Sequence, residues 1–191
     1  MSEVKNKKSK KEEGELLSTQ GPTPEDKTEE KPLVIVSRKE WGAAPPNFPG
    51  LQPLKRPAMT VMLRYFTGRD VCHTAEECIP VMRDIQRRDQ DNNLVDISHN
   101  FLVGPDGTVF EGRGWTVSES PDLDMLRIGK QLRQPQTVQQ YIINLAYIGN
   151  WEGEEAVSDV MKNSLKAIIN HGVDCQQIAE KHKVMSMHEI F

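Results

Sequence analysis

Between Ser98 and Trp115 the chain has few choices other than a β-hairpin. Phe101-Leu102-Val103 is an apolar run that reaches Gly104-Pro105-Asp106-Gly107, and Thr108-Val109-Phe110 leaves it. Asp-Gly supplies the positive φ that a short hairpin loop needs. The exit strand runs into Glu111-Gly112-Arg113-Gly114-Trp115, where two glycines let the backbone turn tightly and present Arg113 and Trp115.

The elements around the hairpin follow from periodicity and end signals. Leu33-Val34-Ile35-Val36 reads as a short strand, and Ser37 with Glu40 three residues on as a capping box on one helical turn. Five prolines between Pro45 and Pro57 make Ala44 to Ala58 an extended loop. Met59 to Tyr65 is mostly apolar and reads as a strand interior to a sheet. Thr74-Ala75-Glu76-Glu77 caps a helix whose apolar face is Cys78, Val81, Met82 and Ile85, closing near Asp91-Asn92-Asn93. Thr116 to Gln140 is a long polar stretch. Tyr141 to Ile148 is a further core strand, and Val157, Val160, Met161, Leu165, Ile168 and Ile169 mark a second helix. Val184 to His188 reads as a last short strand. The order β-α-ββ-β-α-β predicts an α/β fold, with helices flanking a mixed central β-sheet.

At 191 residues this is one domain plus appendages. Residues 1–31 carry a lysine cluster (Lys5, Lys7, Lys8, Lys10, Lys11) and then an acidic stretch with one apolar pair, Leu16-Leu17, which predicts a disordered charged tail. The domain is expected over 32–191. A net charge of −4 gives no basic footprint for nucleic acid. No apolar run approaches the ~18 residues of a membrane span, and no signal-peptide core is visible, so the chain reads as cytoplasmic taken literally. Three cysteines, Cys72, Cys78 and Cys175, leave one thiol over if any pair forms.

The string D-x-x-x-N-F-L-V-G-x-D-G-x-V-F-E-G-R-G-W, from Asp96 to Trp115, closely resembles the peptidoglycan recognition protein family, and Ile35-Val36-Ser37-Arg38-Lys39-Glu40-Trp41-Gly42-Ala43 resembles its amino-terminal signature. That family shares its fold with zinc-dependent N-acetylmuramoyl-L-alanine amidases of phage type. The resemblance implies a peptidoglycan-binding groove, a role in innate immunity, and often a secreted or membrane-anchored location. It implies zinc held by two His and one Cys, and it implies a disulfide at the C-x5-C spacing of Cys72 and Cys78, which would stay open in a reducing cytosol.

The chain departs from this pattern where the chemistry sits. The first ligand His belongs at the end of the Val61-to-Thr67 strand, where Arg64 stands, or Tyr65 if the match slips by one. A guanidinium stays cationic and would repel a metal. His73 of Cys72-His73-Thr74-Ala75 lies past that strand and reads as an exposed residue of the helix cap. His188 matches the second ligand; the third, a Cys, would follow in a Pro-Gly-rich turn before a last helix, and the sequence stops at Phe191. One imidazole does not hold zinc against water. Cys175, before His188, reads as a buried small apolar residue in the tail of the second helix. The catalytic tyrosine position is occupied by His99, which has no metal hydroxide to assist.

The groove implied by the resemblance is walled by Phe66, Thr67, His99, Trp115, Thr116, Val117 and His188. Thr116-Val117 matches neither dipeptide usual after Gly-Trp, Ser118-Glu119-Ser120 replaces Gly-Ala-His, and Pro121 to Gln140 is longer than usual. The expectation is therefore a degenerate, non-enzymatic recognition or regulatory member without catalytic residues, metal or cofactor. Its partners would be peptidoglycan fragments, bound weakly or not at all, and other immune receptors or signalling proteins. The alternative is a zinc amidase whose remaining ligands lie in a longer isoform. With the last helix missing, the apolar face under Val61, Leu63, Leu145 and Tyr147 is expected to be partly uncovered, favouring association.

Overall fold

The computed structural model describes residues 32–47, 53–65, 71–118, 142–151 and 156–187. The predicted tail over 1–31, the polar stretch 121–140 and the residues Phe66, Thr67 and His188 lie outside the described residues. The folded unit, Leu33–Phe191, is an α/β domain built on one sheet.

Its elements are β1 (Ile35–Val36), α1 (Arg38–Trp41), β2 (Ala58–Arg64), α2 (Ala75–Asp91), β3 (Phe101–Val103), β4 (Val109–Glu111), β5 (Ile142–Tyr147), α3 (Asp159–Asp174) and β6 (Ile178–Met187). The strand order is β1-β4-β3-β5-β2-β6. Among the described strands only the β3–β4 pair is antiparallel, so the sheet is mixed as predicted. The hairpin turns at Gly104 to Thr108, with Gly107 at φ 85° and its N–H donating to the Gly104 carbonyl over 2.9 Å.

The helix ends obey the capping signals. The Ser37 hydroxyl and the Glu40 carboxylate bond reciprocally around α1, and the Thr74 and Ser158 side chains accept from the backbone N–H three residues on. Pro80 sits inside α2 without ending it. Its ring leaves the Glu76 carbonyl without its usual helical N–H.

Strand alternation divides the core in two. Val61, Leu63, Phe101, Val103, Ile143, Leu145 and Tyr147 face α3, which contributes Met161, Leu165 and Ile168 at helical spacing. Leu102, Phe110, Ala146 and Ile148 face α2, which contributes Cys78, Val81, Met82 and Ile85, with Trp41 beside them. This corrects the expectation of an uncovered face: Val61, Leu63, Leu145 and Tyr147 are all buried, beneath α3. The periodicity identified this helix but not which side of the sheet it would cover.

Two further expectations change. β6 begins at Ile178 rather than near Val184, and 183–187 pairs residue by residue with 60–64 after a register shift. Its Glu180-Lys181-His182-Lys183 run hid it, because an exposed edge strand needs no apolar alternation. Cys175 is exposed, not buried: it caps the C-terminus of α3 as a free thiol whose Sγ lies 3.7 Å from His171 Nε2.

Cys72 and Cys78 form a disulfide, buried against Met82 and Ile85 in the α2-side core. It closes a short loop and so removes unfolded-chain entropy of about 2.5 kcal/mol. Replacing both cysteines by serine should lower the melting temperature by about 5–10 °C. A thermal scan showing a shift below a degree or two would mean the bridge contributes little beyond the packing of α2.

Candidate functional site

Arg64 ends β2, in register with Ala146 of β5, and His99 lies two residues before β3, which runs beside β5. The structure brings the two together closely enough for the Arg64 charge to act on the His99 imidazole. Tyr65, the alternative position for the first ligand, turns into the core, its ring 5.6 Å from that of Tyr147.

His99 is held by two bonds. Its carbonyl accepts from Arg113 N–H at 3.0 Å, and its Nδ1 lies 3.0 Å from Ser98 Oγ. Ser98 N–H donates to Asp89 of α2 at 2.7 Å. Arg113 is buried and donates from Nη2 to the Ser98 carbonyl at 2.6 Å. Burial pushes the Asp89 carboxyl up, opposed by its bonds from Ser98 and by the charges of Arg113 and Arg88. Burial, reinforced by Arg64 and Arg113, pushes the His99 imidazole down to about 3, so it is neutral near pH 7. His99 is 5% exposed, and its Nε2 is buried with no hydrogen-bond partner.

Asn100, which the sequence reading used only as part of a motif, organises the other wall. Its Nδ2 donates to the carbonyls of Gly114 and Val117, both at 2.8 Å, and its Oδ1 accepts from Asn144 N–H of β5 at 2.9 Å. One amide thus ties the 114–117 segment to the sheet. Behind it, Arg38 bonds the Gly112 carbonyl at 2.6 Å and pairs with buried Asp96 at 3.0 Å, while Trp41 Nε1 donates to the Glu111 carbonyl at 2.7 Å. The amino-terminal signature is therefore a brace for the hairpin exit. Asn100 and Asp96 are both buried, and such groups need partners to be tolerated.

Trp115, half-buried, packs between β3 and α3. Its ring packs 4.4 Å from that of Phe101, lies 6.2 Å from that of His171, and touches the space above Gly172 of α3. Thr116 is exposed, with its carbonyl accepting from Leu54 N–H at 2.9 Å, and half-buried Val117 pairs with Pro53. Thr116 and Val117 thus lie beside Pro53 and Leu54. His73 is exposed, its N–H donating to Glu77 at 2.8 Å, well within the helix-cap role.

The described residues do not fit a zinc ion. The first-ligand position holds the Arg64 guanidinium, which offers no lone pair and carries positive charge. Among the described residues no three His, Cys, Asp or Glu side chains converge to hold a metal, and no helix is long and apolar enough to cross a membrane.

The sheet order, the helix on either face and the placement of the hairpin define an N-acetylmuramoyl-L-alanine amidase domain, and that family's profile matches residues 56–190. Within this class the chain belongs to the peptidoglycan recognition protein family. It is 30% identical over 150 residues to mouse peptidoglycan recognition protein 4, a match covering 78% of this chain and 36% of that protein. The bumblebee peptidoglycan recognition protein SA structure superimposes with a TM-score of 0.66 at 27% identity, covering 81% of this chain and 83% of that one. Peptidoglycan recognition protein LE, solved with tracheal cytotoxin, a monomeric diaminopimelic acid-type peptidoglycan, shares the fold at 22% identity, with a TM-score of 0.66 and 80% and 81% of the two chains covered.

Proposed function

We propose that this chain is a non-enzymatic recognition or regulatory protein of innate immunity, which binds peptidoglycan fragments weakly or contacts other immune receptors. The observation that supports this reading most is Arg64. A guanidinium at the first-ligand position, acting on a neutral His99 where the catalytic tyrosine belongs, leaves no place for a metal-bound hydroxide beside the scissile amide. What remains is a wall built from His99 and the Asn100-braced 114–117 segment, suited to holding a muramyl peptide or a protein surface.

Two measurements test it together. Protein purified without chelator should carry no stoichiometric zinc by elemental analysis, and muropeptides incubated with it, with or without added zinc, should release no free stem peptide. One tightly held zinc per chain, or stem-peptide release that is abolished by His99→Ala, would return the chain to the amidases.

A further inference from the structure

We infer that the outer edge of β6 is a self-pairing surface: two copies of the chain join β6 to β6, antiparallel about Val184, so that each sheet continues into the other. The pairing uses none of the residues of the His99 site, so its failure would leave the proposed function untouched.

β6 ends the strand order, and among the described residues no strand pairs with its outer side. The opposite edge, β1, is two residues long and offers little to a further strand. β6 runs for ten residues, and its two halves differ. Between the Ala58–Ile178 and Thr60–Lys183 pairings β6 advances five residues while β2 advances two, so that stretch is bulged. It also carries Glu180, Lys181, His182 and Lys183. Bulges and charges are the usual guards of an exposed edge. Past Lys183 both guards stop: residues 183–187 pair with 60–64 without a further shift, and Val184-Met185-Ser186-Met187 has no charge. Val184, in register with buried Val61, lies on the α3 side of the sheet, and Met185, in register with Met62, lies on the other. They are 54% and 51% exposed, so each face has an open apolar side chain beside the free edge.

Charge selects the occupant and its register. In a two-fold antiparallel pair the numbers of facing residues have a constant sum, and facing side chains share a side of the sheet only where that sum is even. A dyad at Lys183 sets that lysine against itself, and one at His182 sets Lys181 against Lys183. Like charges directly opposite destabilise a pair. A dyad at Val184 sets Val184 against Val184, Lys183 against Met185 and His182 against Ser186, with no like charges opposed. The lysine stem then lies along Met185 while its ammonium stays in water. A dyad at Met185 opposes no like charges either, but it pairs only 183–187, against 181–187 for Val184. A second copy of this strand is therefore a partner that meets the edge with an apolar residue at the centre and no repulsion around it. A single strand pair buries little area, so the dimer is a transient one.

Sedimentation equilibrium of the full chain should show the average mass rising from one chain toward two between ~5 and ~500 µM, the range of a transient contact. Met185→Lys sets lysines opposite each other at two symmetric places and should weaken the dimer about tenfold. Adding Lys183→Glu turns both places into opposite-charge pairs and should restore it. Circular dichroism checks that each variant is folded. In the wild type, amide exchange over 183–185 should slow as concentration rises, which tests the surface without any substitution. A mass that stays at one chain, a mass that climbs past two, or a dimer indifferent to Met185→Lys overturns the inference, and a weakened dimer that Lys183→Glu does not restore overturns the register about Val184.

Discussion

Gly112→Ala should destabilise the domain by about 3 kcal/mol or more, a drop of about 6–12 °C in melting temperature. A Cβ at Gly112 would fall on the carbonyl oxygen of His99 and close to that of Asn100. Both obstacles are backbone, so no rotamer change relieves them. Nor can Gly112 retreat: its N–H donates to the Asn100 carbonyl at 2.8 Å, and its own carbonyl accepts from Arg38 at 2.6 Å. The strain would spread into the segment that carries His99 and Arg113, so the wall of the site should lose order with the fold. Gly104→Ala is the control, because its Cβ meets only side-chain atoms, the nearest at 3.3 Å, which can shift slightly. If Gly112→Ala melts within two or three degrees of wild type, the crossing of the 99–100 and 112–114 segments is not the tight joint described.

The hairpin was legible because its signals are local. Asp106-Gly107 demands a turn, and the apolar runs on either side alternate toward two cores. The caps at Ser37 and Thr74 were legible for the same reason: a capping hydroxyl and its N–H are three residues apart in sequence. What failed was long-range. The side of the sheet taken by α3 depends on how Met161, Leu165 and Ile168 meet β2 and β5, and periodicity carries no such information. β6 failed because its charged start hid an edge strand.

The site was legible as positions and not as roles. His99, Thr116 and Val117 came from matching motifs; the structure buries His99, leaves Thr116 exposed, and ties the Val117 carbonyl to Asn100. Trp115 packs against Phe101 and over Gly172, contacts between distant segments that a motif does not carry. Asp89, near the end of α2, carries no motif that would single it out. Its bond to Ser98 spans nine residues of sequence and an interface between α2 and the segment before β3, which no spacing rule foresees.

Acidification should destabilise this protein through His99. In the unfolded chain its pKa is near 6.5, and in the fold burial with Arg64 and Arg113 holds it at about 3. The folded ring therefore stays neutral while the unfolded one takes a proton below pH ~6.5. Stability linked to His99 is complete above that pH and is lost as pH falls through the window toward 3, at up to about 1.4 kcal/mol per pH unit. Between pH 7 and pH 4.5 the loss attributable to His99 should be about 2–3 kcal/mol. Asp89 works in the opposite sense. Its raised carboxyl pKa means the fold takes up that proton before the unfolded chain does, which offsets part of the loss at the acid end. His99→Gln separates the two, since it removes the imidazole and leaves Asp89 in place. Urea midpoints at pH 7 and pH 4.5 should lie clearly closer together in His99→Gln than in wild type. Parallel midpoints in the two proteins would mean that His99 protonates in the fold as readily as in the unfolded chain, and that the cationic, dry surroundings of its ring do not hold.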